Sequence, residues 1–293
     1  LIAPLPDNPK KLVYFGTPEM AVLPLIRLVE AGFEISMVVT GEDKRRKRNS
    51  SLSHSPVKAK ALELGIPFTH DLSDLEKIQA DLGIVVAFGK ILPKECLEKV
   101  PMLNLHFSLL PRWRGAAPVE RSILAGDAVT GVCLMVVEEE LDTGGICASQ
   151  EVAIEEKTGE ELRKELVEVG SSLLVEALTE GIKTPEPQVG TPTYAHKISP
   201  DDLRLDWQHP VKENMNKIRL GGAWTLFRGT RFKIWSASVS SPLSEPTGTI
   251  IGDQVSGVNG SLKLIEVQAE NRGRQPFDSW QSGARLTSED RFI

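Results

Sequence analysis

The sequence has few of the residues that mark most metal and nucleotide-cofactor proteins. Its three cysteines, Cys96, Cys133 and Cys147, contain no C-x-x-C pair. An odd, scattered set suggests neither a disulfide framework nor a zinc site, so the thiols read as reduced, as in a cytosol or an organelle matrix. No H-E-x-x-H or other His/Cys cluster has metal spacing, and no metal is expected. The first strand-to-helix turn holds one glycine, Gly16, so the G-x-G-x-x-G signature of dinucleotide binding is missing. The phosphate-binding G-x-x-x-x-G-K-[ST] is also missing. No apolar run approaches the ~20 residues of a membrane helix, and the opening residues are too short and proline-rich for a signal peptide. A net charge of −6 argues against a protein that coats nucleic acid.

What is present suits two domains, since 293 residues exceed the usual single-domain size. Continuous apolar runs at 11–16, 33–40, 82–88, 103–107 and 131–137 alternate with helical patterns at 22–29 and 56–65. That order predicts an α/β domain with an open, mostly parallel, Rossmann-like sheet over 1–186. A long amphipathic helix is expected at 160–181. The stretch 183–206 is proline-rich and aperiodic, and 187–206 is taken as a linker. Beyond it, over 207–293, short alternating runs at 231–239, 248–251 and 262–267 lie between Gly and Ser/Pro turns, a pattern that fits a small β-barrel. From Gln208 onward there are 11 Lys and Arg against 8 Asp and Glu, so a basic tail domain follows an acidic body. That asymmetry points weakly to a polyanionic partner.

The densest chemistry lies in NLHFSLLPRWRGAAP (104–118). Asn104 and His106 alternate with Leu103, Leu105 and Phe107, so one face of a buried strand carries an amide and an imidazole. Such groups cost a few kcal/mol to bury unless they find partners. Ligands in open α/β sheets gather near the strand carboxyl ends, and two arginines follow directly. Asp142 sits before a Gly-Gly turn; alone it reads as a turn residue, but a fold back onto His106 would let it orient the ring.

Several stretches together resemble the methionyl-tRNA formyltransferase family: SLLPRWRGAAP (108–118), LDTG (141–144), FGTP (15–18), SPVK (55–58), VVAFG (85–89) with ILP (91–93), and TYAHKI (193–198). The eleven-residue stretch is the specific one. The resemblance implies 10-formyltetrahydrofolate as co-substrate, methionyl-initiator tRNA as acceptor, a monomer, and an OB-like C-terminal barrel that binds tRNA. It implies a catalytic trio of Asn104, His106 and Asp142. It also implies a folate segment of Ser108, Leu109, Leu110 and Pro111, and a pterin slot lined by backbone around Val86, Phe88 and Leu92. Phe107 departs from the family, which has a small residue after the histidine, and is expected to narrow the site.

The basic run Lys44, Arg45, Arg46, Lys47 and Arg48 suits a phosphate backbone and is expected to be poorly ordered without RNA. By resemblance it matches the loop that enters the acceptor arm. The chemistry agrees with formyl transfer. A free α-amino group with a pKa of about 7.7–8.0 is partly nucleophilic at neutral pH, and an amide with an imidazole can stabilise an oxyanion and move protons. Two other readings remain open: a formyltransferase for another amine, such as an amino-sugar nucleotide or glycinamide ribonucleotide, and a non-catalytic RNA-binding protein on an enzyme scaffold.

Overall fold

A computed structural model describes residues 3–45 and 52–293. The chain runs through β1 (Lys11–Gly16), α1 (Val22–Glu30), β2 (Glu34–Val39), β3 (Lys44–Arg45), β4 (Leu52–Ser53), α2 (Pro56–Glu63), β5 (Phe68–Thr69), β6 (Leu82–Val86), α3 (Lys94–Lys99), β7 (Met102–His106) and β8 (Arg114–Gly115). It continues through α4 (Pro118–Leu124), β9 (Val129–Val136), β10 (Ile146–Ala153), α5 (Gly159–Glu180) and β11 (Tyr194–Ala195). Then come α6 (Val211–Arg219), β12 (Trp224–Phe227), β13 (Thr230–Ser240), β14 (Ile250–Ile251), β15 (Gln254–Gly257), β16 (Gly260–Ala269), β17 (Gln275–Pro276) and α7 (Phe277–Ala284). They form two compact units. The first comprises the chain up to Pro118, Val129–Ala153 and Arg163–Ala195; the second comprises Val119–Ala128, Ile154–Leu162 and His196–Ile293.

The first unit is built on a seven-stranded sheet ordered β10-β9-β7-β6-β1-β2-β5. β5, β2, β1, β6 and β7 pair in parallel, as their unbroken apolar runs suggest. Alternate side chains of β1 serve the two faces: Val13 and Phe15 join Val85, Phe88, Leu97 and Met102 in one cluster, while Leu12 and Tyr14 are equally buried. β9 and β10 run antiparallel, so the sheet is mixed rather than parallel throughout. The connection through β8 and α4 returns the chain to the end of β7 that it left, and adjacent strands joined at one end run antiparallel. The sequence SPVK also gains a physical meaning. Ser55 caps α2 by accepting from the Lys58 amide, and Pro56 takes the first helical position. Buried Lys58 donates to Asp43 at 2.8 Å, which holds the Asp43 carboxyl below its usual range. Lys44 and Arg45 then pair with Leu52 and Ser53, whereas Arg46, Lys47 and Arg48 lie outside the described residues.

In the second unit β12, β13, β16, β15 and β14 form an antiparallel sheet, with β17 also paired to β16. Residues 291–293 bridge its two edges. Ile293 exchanges backbone hydrogen bonds with Leu226, and Phe292 donates to the Gly248 carbonyl. An aromatic core fills the interior: Phe232 lies 4.6 Å from Trp280 and 5.1 Å from Phe292 between ring centroids, and Trp207 stacks on Phe292. The start of α5 carries a capping box, Thr158 and Glu161 each accepting the other's amide.

Arg121 on α4 clasps Asp202 through 2.8 and 3.2 Å hydrogen bonds and holds its carboxyl down at about 2, with Ser199 assisting. A depressed carboxylate stabilises the fold above its unfolded pKa and loses that contribution as pH falls through the folded value. Arg121→Ala should therefore lower stability by about 1–2 kcal/mol at pH 7. In urea titrations the gap from wild type should close as pH drops from about 4 towards 2; a gap independent of pH would assign the loss to the bonds Arg121 makes to the His196 and Lys197 carbonyls.

Candidate functional site

β7 lies between β6 and β9, with Asn104 opposite Val85 and Met135 and His106 opposite Cys133. Leu103 and Leu105 are fully sequestered, which leaves Asn104 and His106 on the same strand face. The turn 141–145 folds back over that face. Its Asp142 carboxylate is only 11% exposed and receives three groups from separate parts of the chain. The Gly115 amide donates to Oδ2 at 2.7 Å, the Asn104 Nδ2 donates to Oδ1 at 3.4 Å, and His106 Nδ1 stands 3.6 Å from Oδ2. On its other side the imidazole Nε2 lies 2.9 Å from the Trp113 carbonyl, which can only accept, so Nε2 carries a hydrogen. The ring is thus anchored at Nε2, while Nδ1 faces the carboxylate across 3.6 Å, longer than a formed hydrogen bond. The catalytic trio expected from the sequence is brought together around one carboxylate.

The backbone does much of this positioning. Asp142 has φ 53° and Trp113 has φ 64°, both in the left-handed region that Asp tolerates and Trp rarely adopts. Trp113 is held there by its amide donating to Thr193 Oγ1 at 2.9 Å, and Arg114 and Gly115 pair in parallel with Tyr194 and Ala195. The guanidinium of Arg112 packs 4.5 Å from the centroid of the Trp113 ring. Arg114 donates from Nε and one terminal nitrogen to Gln188 Oε1, at 3.1 and 2.7 Å. Sequence reasoning missed Gln188 and met Thr193 only as the first residue of the TYAHKI match, with no role; both lie in the proline-rich stretch taken as a linker. Neither belongs to an apolar pattern, and their contacts go largely to backbone, so local spacing gave no signal.

The expected folate residues occupy adjoining places. Ser108 is buried, its hydroxyl donating to the Arg112 carbonyl at 2.6 Å. Leu109 is half-buried, and Leu110 is buried against Cys133 and Met135. The carbonyl of half-buried Pro111 accepts from the Thr193 amide. Val86, Phe88 and Leu92 are buried in the fold, so that loop has chiefly its backbone to offer a ligand. Ala87 and Gly89 take positive φ there, and the Phe88 carbonyl is held by Thr17 Oγ1. Phe107 is 4% exposed; its bulk goes into the interior and offers a ligand little surface. The cysteines are poor nucleophiles: burial pushes the Cys133 and Cys147 thiols up to about 11. Among the described residues no cluster of three or more His, Cys, Asp or Glu side chains could hold a metal, and no helix is long and apolar enough to cross a membrane.

Comparison with known proteins gives this arrangement a class. A family model described as "Formyl transferase" matches residues 10–178, and a second, "Formyl transferase, C-terminal domain", matches 197–285. Fold and site together are those of a formyl transferase. A methionyl-tRNA formyltransferase from Symbiobacterium thermophilum is 40% identical over 96% of this chain and 95% of its own. The chain belongs to the methionyl-tRNA formyltransferase family. Two solved structures share the fold at lower identity. HypX from Aquifex aeolicus, in complex with tetrahydrofolic acid, has a TM-score of 0.65 at 18% identity over 94% of this chain, which spans 47% of HypX. An N-formyltransferase from Helicobacter canadensis, in complex with folinic acid and dTDP-3-aminofucose, has a TM-score of 0.65 at 17% identity, covering 87% of this chain and 98% of its own.

The turn that presents Asp142 leaves no space beside Gly144, where a Cβ would fall on the Val136 carbonyl oxygen. Backbone cannot yield as a flexible side chain would, so Gly144→Ala should destabilise the fold by about 2 kcal/mol or more. Thermal unfolding should register this as a drop of several degrees; an unchanged midpoint would mean that the turn re-forms freely.

Proposed function

We propose that the chain moves the formyl group of 10-formyltetrahydrofolate onto the α-amino group of methionyl-initiator tRNA. The products are N-formylmethionyl-tRNA and tetrahydrofolate. The carrying observation is the convergence of Asn104 and His106 on a shielded Asp142 carboxylate, in a chain 40% identical to a methionyl-tRNA formyltransferase over nearly its whole length. The amine nitrogen attacks the formyl carbon, and the carbonyl electron pair moves onto oxygen. Asn104 has a second N–H to offer that oxyanion while its first is directed to Asp142. Collapse of the tetrahedral centre expels folate N10. The proton lost by the amine is balanced by the one N10 gains, and that relay is assigned to His106. Asp142 keeps the ring oriented for both transfers. Ser108 to Pro111 and the backbone of the loop after β6 are assigned to folate.

The functional division follows the same reading: catalysis over 1–186, a connection over 187–206, and tRNA binding over 207–293. Each active chain acts as a monomer, in a bacterial cytoplasm or an organelle matrix. Two features support an RNA acceptor. One is the basic run 44–48. The other is an outward face of the second unit's sheet. Along β13, Phe232 and Ile234 point inward, and Arg231, Lys233 and Trp235 point outward. There Arg231 lies 4.0 Å over the Trp224 ring and Arg274 3.3 Å over Trp235. Cations layered on indoles offer both phosphate neutralisation and stacking surface.

His106→Ala and Asp142→Ala should each lower single-turnover formylation by about 10²-fold or more. Supplying the wild-type chain with 10-formyltetrahydrofolate and, in separate reactions, methionyl-initiator tRNA, an amino-sugar nucleotide or glycinamide ribonucleotide tests the acceptor. Formylation of a small amine in preference to the tRNA would overturn the reading.

The double variant Arg231→Ala/Arg274→Ala should weaken tRNA use and flatten the plot of log affinity against log salt by up to about 0.9 for each phosphate it no longer neutralises. Folate binding should stay within error. An unchanged salt slope would remove this face from the RNA interface.

A further inference from the structure

The Asp142 turn is held by a side chain that the proposed chemistry does not use. Gln188 Nε2 donates to two carbonyls of that turn, Asp142 O at 2.8 Å and Gly144 O at 2.9 Å. Its Oε1 receives both donors from Arg114 at 3.1 and 2.7 Å. The orientation of the amide is dictated by its partners, because a guanidinium can only donate and a carbonyl can only accept. Only a side chain with a two-hydrogen donor and an acceptor on one planar group satisfies both ends. Glutamate lacks the donor, and lysine lacks the acceptor. The backbone under Gln188 is also fixed: two residues earlier, Glu186 exchanges hydrogen bonds with Ile146 at 2.8 and 2.9 Å, just beyond the turn.

The target of this clamp is unusual. Asp142 stands in the left-handed region, and its carboxylate reaches His106 only because the turn is bent that way. Arg114 is itself adjacent to Gly115, whose amide makes the shortest bond to the carboxylate. The relay Arg114–Gln188–turn therefore ties the donor of the carboxylate and the backbone of the carboxylate into one closed circuit.

We propose that Gln188 and Arg114 are positioning residues that set the Asp142 carboxylate against His106 for formyl transfer. This rests on the assignment of Asp142 as the orienting acid of the site. Gln188 acts through the turn and touches no reacting atom, so its loss acts on turnover rather than on substrate binding. A misplacement of the order of 1 Å at a reacting constellation can cost about 10²-fold in rate.

The test uses the full chain with 10-formyltetrahydrofolate and methionyl-initiator tRNA, comparing Gln188→Ala, Gln188→Glu, Arg114→Met and the double variant Arg114→Met/Gln188→Ala. Asp142→Ala serves as the control. Gln188→Ala should lower kcat by about 10-fold while KM for either substrate stays within about two-fold. Gln188→Glu matches the amide in shape and keeps an acceptor for Arg114, yet it removes both donors. It should lose kcat at least as severely, with a displaced pH profile and an unfolding midpoint near wild type. The double variant should be no slower than Gln188→Ala within about two-fold, because both changes open one circuit. If Asp142→Ala is inactive while Gln188→Glu keeps wild-type kcat and pH profile, the positioning role falls and the reading of the site stands. Strict additivity of the Arg114 and Gln188 losses would also overturn the shared relay. If Asp142→Ala itself turns over normally, the reading of the site fails, and the positioning role fails with it.

Discussion

A carboxylate withdrawn from water must find donors, and the first unit is arranged around that requirement. The Asp142 side chain is 11% exposed, and its oxygens face a backbone amide, a side-chain amide and an imidazole. Without them a buried anion would be heavily penalised. With them, it becomes a fixed point from which the histidine ring takes its orientation. The same group also limits what can vary nearby. The strand must alternate polar and apolar side chains at 103–106, the following loop must present the Gly115 amide, and the Asp142 turn must accept a left-handed residue.

The sheet topology makes this convergence possible. β7 is the last of the parallel strands, and β9 returns antiparallel beside it. The loop after β7 therefore leaves from one end of the strand, while the loop after β9 begins near the other, where the Val137 amide donates to the Met102 carbonyl. The two loops approach His106 from opposite directions and meet over the face that Asn104 and His106 share. With β9 reversed, the Asp142 turn starts beside the amino end of β7 and reaches back along the strand to Asn104 and His106. Mixed topology thus bears directly on the chemistry, whereas the buried clusters flanking β1 supply rigidity.

Much of this was legible in the residues. The apolar runs marked β1, β2, β6, β7 and β9, and the alternation at 103–107 put Asn104 and His106 on one face. The sense of β9 was not legible, because an apolar run looks the same in either direction and the connection from β7, which includes α4, suits either sense. The arginines of RWRGAAP suggested a charged site by composition. In the structure the stretch works mainly through its backbone, with the Trp113 carbonyl on His106 and the Gly115 amide on Asp142. Main-chain donors have no residue identity, so spacing could not reveal them. The same holds for the proline-rich stretch after α5. Its lack of periodicity read as a connection, yet Gln188 and Thr193 to Ala195 are tied to the site through hydrogen bonds that no hydrophobic pattern records.

Net charge and the nature of the acceptor are reconciled by where charge resides. A chain of −6 repels a polyanion on average, but averages matter little within a Debye length of about 8–10 Å. Local fields decide, and the outward face of β13 concentrates cations on aromatic rings. The exposed guanidinium of Arg231 is stacked on Trp224 and that of Arg274 on Trp235. A cation held in place on a ring loses less conformational freedom on meeting a phosphate than a free one. On the proposed reading, an acidic body with such a face would hold an RNA at selected points and repel it elsewhere. An enzyme that must release a formylated tRNA after each cycle needs that balance more than it needs uniform attraction.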